Sequence, residues 1–279
     1  MSLFTGTARY YRHFRPGIPE DVAGTLDQAA PHRCRAQRRL LYMGTGTGLV
    51  AEALLGRFDD IIAIDNDADM PAAAESALRP KLPEGTCLSL VDSTAEDFVP
   101  LAGWKADLVT ICRAFHWLDQ TAVLARLDDQ VAPDGVVAIF EDSSFWTATS
   151  PWKEAVRDVI KTFLGEERRA GSGTFQHHSR PYSEIMKESP FDRVEEARIP
   201  VHCTWTAESI LGKQQDIEQE RTRPSWRPCR RRDGRKLDEE ATVLRTVRAW
   251  CAIRPCPGRP RRRRVAPSPT SPNATGALQ

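Results

Sequence analysis

The residues best suited to chemistry begin at a glycine turn. Leu40-Leu41-Tyr42-Met43 is an apolar run, and Gly44-Thr45-Gly46-Thr47-Gly48 follows it directly before a helical stretch. Glycines at such a turn allow positive φ and let a ligand approach the main chain. The helix behind them offers free N–H groups and the positive end of a dipole. This is the anatomy of a nucleotide-type binding turn. Its spelling, G-x-G-x-G, brings the third glycine one residue too early for the dinucleotide fingerprint G-x-G-x-x-G. A plain glycine-rich connection between strand and helix is the bland alternative.

Elements that must position this turn can be read around it. Ile61-Ile62-Ala63-Ile64-Asp65 is an apolar run ending in an acid, 17 residues past Gly48. Continuous apolar runs of this length suit strands buried on both faces of a parallel sheet. An acid at that strand end can accept hydrogen bonds from both ribose hydroxyls. A third strand covers about Cys87–Val91, and Asp92-Ser93-Thr94-Ala95-Glu96-Asp97-Phe98 follows it. The same stretch could form a capped turn built on Ser93 or Thr94. Ala106–Cys112 reads as a fourth strand leading into Arg113-Ala114-Phe115-His116-Trp117. Leu124–Val131 reads as a helix, and Pro133-Asp134-Gly135 as a turn with glycine in the left-handed region before a fifth strand. Val194–Trp205 alternates acceptably as a sixth strand.

The ordered series, about residues 4–211, resembles the class I S-adenosylmethionine-dependent methyltransferases. The small-Phe-His-Trp segment after the fourth strand is similar to a small-molecule branch with trans-aconitate and quinone-pathway relatives. The opening Phe4-Thr5-Gly6-Thr7-Ala8-Arg9-Tyr10-Tyr11 and Arg15-Pro16-Gly17-Ile18-Pro19 also resembles that branch, where the arm folds over the cofactor. The resemblance implies an α/β fold with a Rossmann-like, doubly wound sheet of seven strands, the last two antiparallel. It implies S-adenosyl-L-methionine as cofactor, held by Gly44, Thr45, Gly46 and Gly48 and by Asp65 with Asn66. Thr94 and Ala95 fall where the adenine edge is met, and Arg15 with Tyr11 (or Tyr10) where the methionine end is held. A guanidinium suits that carboxylate because its fork matches the two oxygens. One position departs. Tyr42 stands where the family normally has Asp or Glu for the methionine end, and it offers one neutral hydroxyl. Reduced cofactor affinity, a sequence error and a lapsed enzyme all stay open.

Methyl transfer from a sulfonium is an in-line displacement, so the protein mainly aligns the acceptor and removes its proton. His116, at the carboxyl edge of the sheet, is the candidate catalytic base. A structural histidine packed with Phe115 and Trp117 is its alternative.

Composition sets limits. The chain has 279 residues, net charge +1 and seven cysteines. No apolar run reaches the length of a membrane span, and Met1–Thr5 lacks the plan of a signal peptide. Unpaired cysteines fit reduced thiols, so the expectation is a cytoplasmic protein without membrane partners. The pair His177-His178 has no third ligand at suitable spacing, and no metal is expected. The charge is divided: residues 221–279 hold fifteen Arg and one Lys against four acids, a net +12, leaving −11 on residues 1–220. An acidic catalytic region argues against nucleic acid as a partner.

The expected organisation is an N-terminal cap arm (1–38), a cofactor-binding core (39–142), a lid insertion with the remaining sheet (143–212) and a basic Arg/Pro-rich tail (213–279). That tail reads as disordered. An anionic partner, a solvated extension and a wrong reading frame are the competing explanations of it. Nothing after 212 reads as the seventh strand, and 239–251 has helical promise, so the sheet is expected to lack an edge strand if the tail is genuine. The functional expectation is methyl transfer to O, N or C of a small-molecule acceptor, with a place in biosynthesis. The rival is an inactive cofactor-binding domain with a basic interaction tail. An RNA methyltransferase ranks below both, because Arg-Ala-Phe-His-Trp replaces the Asn-Pro-Pro-Tyr type of motif.

Overall fold

The structure is a computed structural model that describes residues 8–32, 37–142, 180–205 and 241–253, with 154–155, 157–158, 161–162, 169–170 and 173–174 between them. The elements in chain order are α1 (Ala8–Phe14), α2 (Glu20–Ala29), β1 (Arg39–Met43), α3 (Leu49–Ala53), β2 (Asp60–Asp65), α4 (Asp69–Leu78) and β3 (Cys87–Asp92). There follow β4 (Ala106–Cys112), α5 (Gln120–Gln130), β5 (Val131–Asp142), α6 (Tyr182–Lys187), β6 (Arg193–Trp205) and β7 (Ala241–Ile253). These strands form one seven-stranded sheet of order β3-β2-β1-β4-β5-β7-β6. The first five run parallel, and β7 is antiparallel to both of its neighbours. This is the Rossmann-like, doubly wound α/β sheet of the class I methyltransferase type.

Burial accounts for the apolar runs of the inner parallel strands. Every residue of β4 is buried. Leu40, Leu108 and Ala138 belong to a core shared with α2, α3 and α4, whereas Leu41, Val109 and Ile139 belong to one shared with α5 and α6. The chain therefore packs in three layers, with a helix layer on each face. Order β3-β2-β1-β4-β5 reverses direction between β1 and β4. Open α/β sheets bind ligands at such a point, beyond the carboxyl ends of the strands.

The expected missing strand is present. Ala241–Ile253 is neither helical nor outside the fold; it lies between β5 and β6, pairing with Val136–Asp142 on one side and Arg193–Trp205 on the other. Alternation explains the correction. Val247 and Ala249 enter one core, and Trp250 and Ala252 enter the other. Thr242, Val243, Thr246 and Val247 are β-branched and favour a strand. Arg248 lies opposite Glu141, so one of the tail's cations serves as a cross-strand partner. Residues 206–240 and 254–279 lie outside the described residues.

Two smaller corrections concern the approach to β5. Helix α5 begins at Gln120, earlier than Leu124, because the Asp119 carboxylate accepts the Ala122 N–H and caps it. Pro133-Asp134-Gly135 falls within β5, where the pairing with β4 shifts register between Ala106 and Leu108. Gly135 is needed there for space and not for a left-handed turn: an added Cβ would lie 2.7 Å from the Ala106 carbonyl oxygen. No helix among the described residues is long and apolar enough to cross a membrane.

Candidate active site

The glycine turn is held tightly at both ends and is open in the middle. Gly44, Gly46 and Gly48 have φ of 67°, 51° and 84°, all left-handed. A Cβ on Gly44 would lie 2.4 Å from Ala114 Cβ, and one on Gly48 would lie 2.9 Å from Leu78 Cδ1. Among the described residues, only Tyr11 Cε1, at 3.7 Å, lies near the corresponding point on Gly46. Thr45 is buried beneath the turn; its N–H donates to the Ile64 carbonyl (2.9 Å) and its hydroxyl to the Tyr42 carbonyl (3.2 Å).

Asp65 faces this turn from the end of β2. Its carboxylate accepts the Gly46 N–H at 2.7 Å and the Asp67 N–H at 3.1 Å. Burial raises its pKa above the usual carboxylate value of 3.8, the backbone N–H donors of Gly46 and Asp67 work against that rise, and the charge of Asp67 adds to it. Asn66 is exposed. Asp67, which sequence reading passed over, is buried and accepts the Asp69 N–H at 3.1 Å, orienting the start of α4. The loop after β3 comes alongside, since the Ser93 N–H donates to the Asp65 carbonyl at 2.9 Å. Thr94 uses its hydroxyl locally, donating to Asp97 Oδ2 (2.7 Å) and accepting the Asp97 N–H (3.0 Å). That is the capped turn weighed as the alternative for this stretch. Ala95 is buried against the core.

The N-terminal arm lies over the turn. Arg12, unmarked in the sequence reading, fastens it: its guanidinium donates to the Thr47 carbonyl (2.8 Å) and to Glu52 Oε2 (2.6 Å). Arg15 stacks on the Tyr11 ring, with its guanidinium carbon 4.8 Å from the centroid. The side chain of Tyr10 lies outside the described residues.

A second group closes the floor. Tyr42 is 4% exposed, and burial pushes its hydroxyl pKa well above 10.0, with Cys112 and Tyr11 adding to the rise and Arg113 opposing it. Burial also pushes the Cys112 thiol up to about 12. Arg113 is ion-paired with Asp142 at 2.5 Å. Burial works against its charge, but the Asp142 carboxylate holds its pKa above the ordinary arginine value. Its φ of 56° is the described non-glycine exception to negative φ.

Comparison with known proteins agrees with this geometry. Residues 41–139 match the methyltransferase domain family. Uncharacterized methyltransferases of Mycobacterium bovis and Mycobacterium tuberculosis are 32% identical over 136 residues, 48% of this chain and 50% of theirs. The chain thus spans about half the length of the curated relatives it matches. A protein of Anaeromyxobacter dehalogenans assigned as a type II methyltransferase superposes with a TM-score of 0.55 at 20% identity, covering 86% of this chain and 98% of that one. Phosphoethanolamine N-methyltransferase 2 of Haemonchus contortus superposes with a TM-score of 0.52 at 15% identity, over 91% and 60%. At these identities the superpositions show the fold.

Within the matched segment, His116 sits in a single 3-10 turn, Phe115–Trp117, just beyond β4. Phe115 is buried, and its carbonyl accepts the Gln120 side-chain amide at 3.1 Å. The Phe115 ring meets Tyr182 edge-on at 5.1 Å, and Tyr182 meets Trp250 at 5.3 Å. An aromatic chain thus connects the turn bearing His116 to β7. The structure brings Tyr11, Arg15, Gly46 and Asp65 around the glycine turn and sets His116 at the neighbouring strand end. A cavity of about 290 Å³ is lined in part by Pro16, Ile18, Pro19, Asp142 and His202. The pair His177-His178 and most of the expected lid lie outside the described residues.

Proposed function

We propose that the chain is a methyltransferase that uses S-adenosyl-L-methionine to methylate O, N or C of a small-molecule acceptor. The observation that carries this reading is the contact between Gly46 N–H and the Asp65 carboxylate at the carboxyl ends of β1 and β2. It holds an acid beside an open, left-handed glycine turn, which is the arrangement a ribose and its neighbouring groups need. The cradle fits an adenosyl cofactor: among the described residues, Gly46 has no heavy atom but Tyr11 Cε1 close to where a Cβ would stand. Tyr42 departs from the family pattern, and the arm supplies Arg15 and Tyr11 on the same side.

When bound, the cofactor supplies an electrophilic methyl group on a sulfonium. The chain's own residues do the remaining tasks. Asp65 accepts from the ribose hydroxyls, with exposed Asn66 beside it. The Gly44–Gly48 main chain shapes the floor. Thr94 and Ala95 border the adenine position, Thr94 through its main chain because its hydroxyl is engaged with Asp97. Arg15 and Tyr11 cover the methionine end. A ring nitrogen of His116 takes the proton from the acceptor as the new bond forms. The acceptor occupies the cavity between the arm and β6, whose volume of about 290 Å³ suits a compact metabolite.

The net charge of −11 on residues 1–220 supports a metabolite over DNA or RNA, and the reading includes a cytoplasmic protein with neither a membrane nor a metal as partner. Incubation with methyl-labelled cofactor and separate metabolite, DNA and RNA pools tests it. Label is expected in a small polar metabolite, and label in RNA or DNA would overturn the acceptor class. His116→Ala is expected to slow transfer by about 10²–10⁴ if the imidazole acts as base.

A further inference from the structure

The family pattern puts an acid at position 42, facing the cofactor's amino-acid end. Here a neutral, buried Tyr42 stands there, and the charge is found one strand away with the opposite sign. Arg113 directly follows β4, which pairs with β1 so that Ile111 lies opposite Met43. It is thereby set beside the glycine turn, and the next residue, Ala114, packs against Gly44. Its left-handed backbone, φ 56°, is unfavourable for a side chain with a Cβ, yet a large cation occupies it. Its N–H donates to the Phe140 carbonyl at 3.1 Å, which fixes the residue at the sheet edge.

The guanidinium is incompletely used. One terminal nitrogen, Nη2, meets Asp142 at 2.5 Å, while Nε is buried with no hydrogen-bond partner among the described residues. A buried donor without an acceptor marks a place where an acceptor is wanted. The side chain as a whole retains 13% exposure. Arg113 lies close enough to Tyr11, Tyr42 and Cys112 to influence them electrostatically, and Arg15 stacks on the Tyr11 ring.

We propose that Arg113 is the chain's receptor for the carboxylate of the cofactor's amino-acid end, replacing a family acid that would have held the ammonium. The inference rests on the cofactor reading above. Asp142 acts as a positioning residue that keeps the guanidinium extended at the floor, and Arg15 closes over the same end from the arm. The grip is thus reversed: the floor reads the anion of the amino acid where the family floor reads its cation. A fork–carboxylate pair gives the amino-acid end a charged anchor in a chain that has no acid at 42.

The test compares two probes that differ only in that carboxylate: S-adenosylmethionine and decarboxylated S-adenosylmethionine. Their dissociation constants are measured by calorimetry on the full chain, wild type and Arg113→Met. Wild type is expected to prefer the carboxylate-bearing probe. Arg113→Met is expected to lose about 10- to 100-fold in affinity for it, and about twofold or less for the decarboxylated one. Equal losses for both probes would show a merely structural arginine and overturn the proposal, as would unchanged affinity for both. Should Arg113→Met fail to fold, Arg113→Leu/Asp142→Leu, which replaces the whole pair, is read by the same ratio. A folded wild type that binds neither probe would instead overturn the cofactor reading itself.

Discussion

The five parallel strands and the antiparallel pair beside them divide the labour of one sheet. At the centre of the parallel part lie short strands, β1 of five residues and β4 of seven, buried along nearly their whole length. All the candidate cofactor residues from Gly44 to Ala95 stand at its carboxyl edge, close to where β1 and β4 part. The antiparallel part is made of two strands of thirteen residues each, paired along their entire length. It reaches the site through Trp250, which meets Tyr182 of α6, and through His202 at the cavity wall. The difference teaches that the site is local in sequence while the sheet that supports it is closed by a distant segment. Function should therefore be lost through a few residues near β1, and the fold through residues nearly 200 positions later.

The largest expected effect breaks that division outright. Truncation after residue 212 removes β7, exposes the β5 edge and leaves β6 without a partner. The shortened protein is expected to lose its cooperative thermal transition and to aggregate. Ala249→Asp, which buries a charge in a fully covered position, is the gentler version and should cost several kcal/mol. A truncated chain melting at the temperature of the full one would show that β7 is dispensable and would dissolve the comparison.

Within the site, two glycines sharpen it. Gly44→Ala combines a left-handed backbone with a 2.4 Å encounter with Ala114, and is expected to cost about 2–5 kcal/mol in denaturant unfolding. Gly46→Ala meets nothing closer than Tyr11 at 3.7 Å and should cost only about 1–2 kcal/mol. Ala114→Gly should recover part of the Gly44→Ala loss and none of the Gly46→Ala loss. Equal costs for the two glycines would mean that the turn is held by backbone conformation alone.

The same division decides what could be read from the chain itself. The glycine turn, the Asp65 strand end and Ala106–Cys112 were legible because strands buried on both faces leave unbroken apolar runs. So was Arg193–Trp205, within one residue. Ala241–Ile253 was hidden by its arginines and by Glu239-Glu240 just before it. Its alternation is recognisable only when both neighbouring strands are known. Arg12 and Arg113 were missed because their partners, Glu52 and Asp142, are 40 and 29 residues away. The positive φ of Arg113 has no sequence signal, since glycine or asparagine is the residue that normally announces it. Thr94 was legible in both of its uses, and only the hydrogen bonds to Asp97 decide what its hydroxyl does.

The smallest expected effect concerns pH. Because burial raises the folded-state pKa of Asp65 above 3.8, its ionisation opposes folding. The protonated group is fully tolerated below the unfolded pKa, and stability is lost as pH rises through the folded value. Thermal melts of wild type and Asp65→Asn should therefore diverge in favour of the variant between about pH 3 and pH 7. A difference that stays constant over that range, or moves the other way, would mean that the Gly46 and Asp67 N–H groups outweigh burial.

The central claim is that the turn and Asp65 form a cofactor site, and calorimetric titration of the full chain with S-adenosylhomocysteine tests it most directly. The account predicts saturable binding with one site per chain, weakened by about 1–3 kcal/mol in Asp65→Ala while the variant stays folded. Absence of heat on titrating a wild-type chain that melts cooperatively, or equal affinity in Asp65→Ala, would contradict it.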